Sequence, residues 1–393
     1  MVRIPRSSVT LSARPMIALL IQTASAWQTQ VLRGIAEYAH EHGPWDFFLE
    51  PRGPYERLTL PRNWEGDGVI ARVNHAALER AISRRRLPAV NVSWYNRHSR
   101  AIPKVVSDQV ACARLAAEHL MEHGFRNYAY LGPIDRTNYR DELGEAFVTM
   151  LSRAGHACET YRKGSGHRST TGPVLDPTAL CRWLDQLVKP VAVLVWNDRF
   201  GREVVQAAAA MRLSIPDQVA ILSAERDPLL SALSAVPLSG LDMAPNRIGY
   251  EAAALLDRLL GGEPSPQQPT LIPPVGVIQR QSTDTIAVED EQLAEALRFI
   301  RENAHRPIQV EDVLEVAPFS RRALEQRFRR ELGRSPAAEI RRARLERAKR
   351  LLVETDLPLS VIAVRCGFNH LEVMIRNFQQ HVGVSPGRFR KRT

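Results

Sequence analysis

Through the first two thirds of the chain, apolar runs of strand length alternate with amphipathic stretches. The runs predict strands at residues 16–21, 68–72, 89–92, 128–132, 191–196 and 219–223. The stretches between them predict helices at residues 31–42, 76–86, 109–123, 178–188, 199–211 and 246–260, with a polar loop over 22–29. Apolar strands between amphipathic helices are typical of parallel sheets covered by helices. We therefore predict an α/β unit of two lobes.

The C-terminal part carries a pattern that repeats after a shift of about 50 residues, as expected when one supersecondary unit is used twice. Phe328 falls on Phe378, and Gly333 falls on Gly383. Each copy has a short apolar segment (310–316 and 359–366), a turn (317–320 and 367–369) and an amphipathic helix. Ser320 and Asn369 are predicted to cap the second helix of their copies. This order predicts two helix-turn-helix motifs.

The second helix of each copy has one apolar stripe, formed by Leu324, Phe328 and Leu332 in the first copy. The side chains off the stripes suit the edges of DNA bases. They are Arg321, Arg322, Glu325, Gln326 and Arg329 in the first copy, and His370, Leu371, Glu372 and Arg376 in the second. Between the copies, residues 336–354 predict a long basic helix that begins at Pro336. This helix either contacts DNA or is a solvated charged helix.

These residues resemble the AraC/XylS family of DNA-binding domains. The matching positions are Ser320, Leu324, Phe328, Gly333, Ser335, Pro336, Ile362, Ala363, Gly367, Phe368, Arg376, Phe378, Gly383, Ser385 and Pro386. The resemblance implies that the two helices enter successive segments of the major groove. It assigns base contacts to Arg322, Glu325, Gln326, Leu371, Glu372 and Arg376. Two departures, at His370 and at Val373-Met374, alter the base preference expected of the second helix.

Composition narrows the class of protein. A chain of 393 residues is expected to form two or three domains, and its net charge of +10 favours a polyanionic partner. The four cysteines are scattered without metal-ligand spacing, which is typical of a reducing cytoplasm. The apolar run at 16–21 is too short for a membrane span, and we predict a strand there rather than part of a signal peptide. We predict no catalytic site, metal or cofactor.

Polar side chains follow the predicted strands at the ends where open α/β sheets bind ligands. They are Trp27, Gln28, Arg72, Asp108, Asn197, Asp198, Arg199, Glu225 and Arg226. An aromatic ring beside carboxylate, amide and guanidinium groups suits a sugar. Three structural roles remain open: Trp27 as a core or interface residue, Asp108 as a helix cap, and Asp198-Arg199 as a cap and a surface charge.

This region resembles the LacI/GalR periplasmic-binding-protein-like fold. The matches include Val106-Ser107-Asp108, Tyr130-Leu131-Gly132, Asn197-Asp198, Ile215-Pro216 and Arg280-Gln281-Ser282-Thr283. A sensor placed before an AraC-type reader is similar to the family of bacterial xylose operon regulators. The residue pattern predicts a basic arm at 1–15 and, where the apolar alternation stops before an acidic helix start, a linker at 282–289. The resemblance then implies a sensor at 16–281 and a DNA-binding domain at 290–393. It also implies a homodimer that binds operator DNA and, as an activator, contacts RNA polymerase.

Four positions depart from the pattern of the xylose regulators: Arg72, Leu143, Glu225 and Arg226. Carboxylates suit neutral polyols, whereas guanidinium groups favour anions. The sequence therefore predicts a sugar-like effector other than xylose, with an acidic sugar or the loss of ligand binding as alternatives. Other classes remain: a DNA alkyl-repair enzyme, a sugar transport receptor, and a nucleoid-type binder without ligand control. We predict a cytoplasmic, sequence-specific transcription regulator with no membrane partner.

Overall fold

The computed structural model describes residues 14–53, 56–95, 101–133, 139–161, 168–169, 172–173, 175–285, 287–288, 290–355 and 357–390. The elements of the first half of the chain, in order, are β1 Met16–Leu20, α1 Ala26–His42, β2 Asp46–Leu49, β3 Gly68–Ala71, α2 Ala76–Arg84, β4 Ala89–Asn91, β5 Val105–Ser107, α3 Gln109–Glu122, β6 Asn127–Leu131, α4 Glu142–Arg153, β7 Cys158–Thr160, β8 Arg168–Ser169 and β9 Gly172–Pro173.

The second half continues with α5 Pro177–Gln186, β10 Val191–Val195, α6 Asp198–Ala210, β11 Val219–Ser223, α7 Pro228–Ala232, β12 Ser239–Asp242, α8 Pro245–Leu260, β13 Thr270–Ile272 and β14 Gly276–Ile278. A 3-10 turn at Gln281–Thr283 precedes the helices α9 Glu291–Asn303, α10 Val310–Val316, α11 Arg321–Leu332, α12 Pro336–Glu354, α13 Leu359–Arg365, α14 Leu371–Val382 and α15 Pro386–Arg390.

The α/β part forms two lobes, as predicted. The first lobe has a parallel sheet in the order β2-β1-β3-β4, and a bridge from Asn91 to Lys104 brings the β5-β13 pair beside it. The second lobe has the order β14-β12-β11-β10-β6-β7, in which only the β12-β14 pair is antiparallel. Each sheet has apolar side chains buried on both faces, which explains why its inner strands read as continuous apolar runs.

Helix α1 is longer than predicted and overturns the loop expected over residues 22–29. It begins at Ala26 because the Ser25 hydroxyl accepts from the Gln28 N–H, while the Gln28 side chain accepts from the Ser25 N–H. This reciprocal capping box satisfies N–H groups that an uncapped helix end leaves open. Trp27 and Gln28 therefore lie on the first turn of a helix rather than in a loop.

Helices α1 and α8 pack backbone against backbone. A Cβ atom at Gly34 would lie 1.9 Å from the Asn246 carbonyl oxygen, and one at Gly249 would lie 1.9 Å from the Val31 carbonyl oxygen. Glycine is required at both positions because any side chain would push the helices apart. Helix α8 follows β12 of the second lobe in the chain. Its contact with α1 therefore holds the first lobe against the segment by which the chain returns from the second lobe.

The helical part repeats one unit, as predicted. Phe328 and Phe378 are fully buried in two separate cores, and α11 and α14 both end at a glycine with positive φ, Gly333 and Gly383. Ser320 caps α11 through the Ala323 N–H. The predicted Asn369 cap is wrong: α14 has His370 at its N-cap position, without a capping bond from its side chain.

Among the residues that the structure describes, no helix combines the length and apolar character needed to cross a lipid bilayer.

Candidate ligand cleft and nucleic-acid interface

Helix α11 presents one polar face beside its buried stripe. Arg322, Gln326 and Arg329, spaced as successive neighbours along one side of a helix, are exposed. Arg321 forms an ion pair with Glu311 and lies 4.0 Å from Glu325, which is half-buried. The first three side chains therefore form an open polar face, while Arg321 and Glu325 also neutralise each other.

Helix α14 presents a matching face with different chemistry. Glu372 and Arg376 are exposed, and exposed His370 stands directly before the helix. Leu371, in contrast, is half-buried and packs against the core of its own unit, so it is held at the edge of that face. Gln379 and Gln380 complete the exposed side and were missed by sequence reasoning. The repeat itself marks them, because they are the counterparts of Arg329 and Arg330.

The predicted basic helix α12 uses much of its charge to hold the protein together. The Arg344 guanidinium donates to the Ile308 carbonyl at 2.8 Å, and Arg347 donates to the Arg365 carbonyl at 2.8 Å. Lys349 pairs with Glu346 at 2.7 Å. The two arginine contacts connect α12 to Ile308 before the first motif and to Arg365 in the second, whereas the Lys349–Glu346 pair lies within α12. All three side chains are therefore engaged within the protein.

A cavity of about 220 Å³ lies between α1 and the loops that follow β11 and β12. It is lined by Trp27, Gln30 and Arg33 on one side and by Glu225, Arg226 and Asp242 on the other. Three predicted ligand-binding residues, Trp27, Glu225 and Arg226, thus come together here. Trp27 also packs against the core of the first lobe. The cavity has the polar and aromatic lining expected of a small-molecule site.

Two carboxyl groups of the second lobe carry raised pKa values. Burial raises the pKa of Glu225 to about 7, with the charges of Asp198 and Asp227 adding to the rise and Arg72 opposing it. Burial likewise raises the pKa of Asp198 to about 6, although its Oδ2 accepts from the Asp227 N–H at 2.7 Å. Such groups can accept and donate hydrogen bonds near neutral pH, which suits hydroxyl ligands.

Arg72 stands on the first-lobe side of the cleft. Its Nη1 donates to Gln22 Oε1 at 3.4 Å, and its guanidinium lies 4.9 Å from the centre of the Tyr95 ring. Gln28 is buried behind this pair and donates to the same Gln22 oxygen at 3.4 Å. Gln28 therefore positions Gln22, a residue that sequence reasoning did not separate from its loop.

Three predicted ligand residues serve at helix ends. Asp108 caps α3 through the Ala111 N–H at 2.9 Å, and Asn197 caps α6 through the Phe200 N–H at 3.0 Å. Arg199 lies 3.5 Å from Glu203 on the first turn of α6. The capping role left open for Asp108 is thus present, and the cap of α6 is Asn197 rather than Asp198. Leu143, one of the departures, is fully buried in the second-lobe core.

An aromatic wall crosses from one lobe to the other and was not predicted. The rings of Tyr95 and Tyr139 are 5.3 Å apart, and those of Tyr139 and Trp196 are 4.9 Å apart. The Tyr139 hydroxyl donates to Gln109 Oε1 at 3.3 Å, and burial raises the pKa of Tyr139 well above its usual value. Trp196 directly follows β10. The rule that made Asn197 and Asp198 candidates, a place just after a strand, therefore also applied to Trp196.

Comparison with known proteins finds three family models that match successive segments of the chain, two in the α/β part and one in the helical part. Residues 16–112 match the model of the XylR N-terminal domain, residues 117–283 match a periplasmic binding protein-like domain, and residues 314–392 match a helix-turn-helix domain. The xylose operon regulatory protein of Escherichia coli K12 is 30% identical over 386 residues, covering 96% of this chain and 97% of that protein. The chain belongs to this family.

Further relatives agree with the assignment to the xylose operon regulator family. The corresponding protein of Haemophilus influenzae is 27% identical, covering 95% of this chain and 97% of that protein. The structure of a xylose-binding transcription activator superposes with a TM-score of 0.75 at 28% identity, covering 97% of this chain and 98% of the other. A LacI-family regulator of Bifidobacterium animalis shares only the sensor fold, with a TM-score of 0.52 at 17% identity over 70% of this chain and 98% of that one.

Family membership confirms the predicted identification and fold: a periplasmic-binding-protein-like α/β sensor followed by an AraC-type helical reader. The protein is a DNA-binding transcription regulator and not an enzyme. The predicted order of sensor before reader therefore holds along the chain.

Proposed function

We propose that this regulator binds a neutral, sugar-like polyol between its two lobes and then, as a homodimer, activates genes for carbohydrate use. One observation carries the proposal: carboxyl groups, a guanidinium and three aromatic rings converge at the carboxyl ends of the strands of both lobes. Rings cover the apolar face of a sugar, and buried polar groups fix its hydroxyls. The relative described as xylose-binding supports the same class of ligand.

Charge favours a neutral ligand over an acidic one. Burial raises the pKa values of Glu225 and Asp198, and the charges of Arg72 and Arg280 partly oppose this rise, so these positive charges already face carboxyl groups. An added carboxylate would meet Asp198, Glu225 and Asp227 together, and like charges at such a site repel. Arg72 is nevertheless the group that would receive an acidic sugar, which makes a uronate the second candidate ligand.

DNA binding would use the two exposed faces already described. The first consists of Arg322, Gln326 and Arg329, and the second of Glu372, Arg376 and Gln379. Two helix-turn-helix motifs in one chain suit two major-groove segments about one helical turn, or roughly 34 Å, apart. A homodimer in the cytoplasm would bind two such pairs of major-groove segments. As an activator, it would also contact RNA polymerase. The ligand can change DNA binding only if it binds the open and closed arrangements of the two sensor lobes with different affinities.

Thermal unfolding of the full chain against single sugars tests the ligand. The panel contains D-xylose, other pentoses, hexoses, polyols and uronates, each at a wide range of concentrations. A sugar that binds only the folded protein stabilises it by about 2.7 kcal/mol at a hundredfold excess over its dissociation constant. Asp198→Asn should reduce the shift, whereas Asp185→Asn, which changes an exposed aspartate on α5, should preserve it.

The panel also separates the alternatives. A shift with a uronate alone would replace the neutral polyol by an acidic sugar, and a flat panel would overturn the sugar-sensing proposal. In vitro transcription from the bound promoter then tests activation. A transcript that falls when protein and sugar are added together would show a repressor.

A further inference from the structure

The contact between the second lobe and the helical domain centres on one buried carboxylate. Asp217 lies in the loop before β11, and its side chain is 5% exposed. Its Oδ1 accepts from Arg301 Nη1 of α9 at 2.9 Å and from the Thr285 hydroxyl at 3.1 Å. Arg301 Nη2 donates to the same hydroxyl at 2.9 Å, and Arg298 lies 3.6 Å from Asp217 Oδ2. Asp217 thus receives two arginines of the first helix of the DNA-binding domain.

A second acidic residue holds the next helix. Asp284 lies at the end of the 3-10 turn, and its Oδ1 accepts from Arg342 Nη1 of α12 at 2.9 Å. The other terminal nitrogen of Arg342 donates to Glu339 at 2.8 Å, and Arg334 pairs with Glu339 as well. Because Glu339 is buried on α12, the series of ion pairs that starts at Asp284 extends into the interior of the helical domain.

The predicted linker contacts the second lobe at several of its described residues. The buried Ser282 hydroxyl donates to the Ile221 carbonyl of β11 at 2.5 Å and accepts from the Ser239 N–H at 2.8 Å. The Ala287 N–H donates to the His123 carbonyl at 2.8 Å. Ala287 packs against the core of the second lobe, whereas Val288 packs against the first core of the helical domain. The connection is therefore short and held on both sides.

Ion pairs line this junction beside its apolar contacts. A cavity of about 420 Å³ lies between the two parts, lined by Asp217 and Asp284 with Arg298, Arg301 and Arg347. Ion pairs are directional and lose their attraction when one partner moves away, so they can set an angle that loose packing leaves open. Removal of one partner also leaves a buried charge uncompensated.

Strand β11 joins this junction to the proposed effector cleft. All five of its residues are buried, and it is paired on both edges, with β10 and with β12. Asp217 lies in the turn before the strand and Glu225 follows it, so eight residue steps of at most about 3.3 Å place the two no more than roughly 26 Å apart. A strand bonded on both edges moves only with its sheet, which carries the helical domain with it.

From these contacts we infer that Asp217 is a positioning residue: it fixes the DNA-binding domain on the second lobe, so that movement of that lobe around the effector turns the DNA-binding helices. The positioning role stands on the contacts alone, whereas the link to effector binding rests on the proposed function. Asp217 and Arg301 lie on neither the cleft nor the recognition faces, so their loss should separate sensing from response.

The first experiment tests positioning without any ligand. Asp217→Asn and Arg301→Gln are compared with wild-type full-length protein by amide hydrogen exchange and small-angle X-ray scattering. Both variants should exchange faster across residues 281–303 and give a larger radius of gyration. Arg301→Lys retains the charge and should fall between them and the wild type. Asp257→Asn, which removes a carboxylate bonded to the Tyr38 hydroxyl, is the matched control and should leave that segment unchanged.

The second experiment tests coupling with D-xylose as the first probe and then with the other neutral sugars of the panel. Asp217→Asn should bind D-xylose and, without sugar, operator DNA as the wild type does, but the sugar-induced change in DNA affinity should fall at least about fivefold, within the usual range of coupling. A full response would overturn the coupling. Unchanged exchange and scattering would overturn the positioning role. A wild-type protein whose DNA affinity responds to no neutral sugar of the panel counts against the proposed function only, because the first experiment still decides the positioning.

Discussion

Replacing Glu225 with glutamine tests the electrostatics of the effector cleft directly. The side chain lines the cavity beside α1, and burial raises its pKa to about 7 from an ordinary value of 4.5. Asp198 and Asp227 add to the rise, and Arg72 opposes it. Glutamine keeps the size and much of the hydrogen bonding of a protonated glutamate but cannot ionise. The variant thus isolates the free energy of placing this negative charge in the cleft.

The sign follows from the direction of the pKa change. Because the native pKa lies above the unfolded one, the native state binds this proton more tightly than the unfolded chain does. The stability from Glu225 is fully present below about pH 4.5 and is lost as the pH rises through about 7. The change corresponds to about 3 kcal/mol of unfolding free energy. Relative to wild type, Glu225→Gln should therefore gain little at pH 5 and about 3 kcal/mol at pH 8.

The assay is thermal unfolding of full-length wild type and variant between pH 5 and 8, following the transition of the sensor. For a unit of this size, about 3 kcal/mol shifts the midpoint by about 6–12 °C. Asp198, whose pKa is raised in the same direction, is present in both proteins, so the difference between them reports Glu225 together with its repulsion from Asp198. Glu65→Gln, which changes an exposed glutamate, is the control and should follow the wild-type profile. A difference that stays constant with pH, or a variant less stable than wild type at pH 8, would refute the reasoning.

Two further predictions concern packing and DNA recognition. Gly34→Ala places a Cβ atom 1.9 Å from a backbone oxygen of α8 and should lower the free energy of unfolding by about 1–3 kcal/mol, measured by heat or urea. Gly276→Ala meets open space and should leave the stability nearly unchanged. Equal effects of the two substitutions would contradict the close helix contact. Gln326→Ala and Arg376→Ala should each lose about 1–3 kcal/mol of discrimination between operator variants. Arg329→Ala should weaken binding to all operators alike and lower the salt dependence of binding. Equal losses of affinity on every operator for all three variants would show that the base-facing assignment is wrong.

The sequence by itself determined the elements whose signals are local. The apolar run Val219–Ser223 and the helices Val310–Val316 and Pro336–Glu354 have the bounds that the pattern predicts. Burial on both faces of a sheet requires a continuous apolar run, and a serine cap followed by proline marks a helix start without reference to the rest of the fold. The repeat in the C-terminal part likewise predicted two reading units, because it lies in the order of residues alone.

The tertiary structure decided which side chains meet. Tyr95, Tyr139 and Trp196 come from three separate parts of the chain, and only the arrangement of the two sheets stacks their rings. Asp108 follows its strand as Glu225 does, yet the first caps a helix and the second lines the cavity. Periodicity reports whether a position is buried but not which distant group it faces. Partner choice depends on packing across the whole fold, and for this reason the cleft was predicted only in part and the Asp217 junction was not predicted at all.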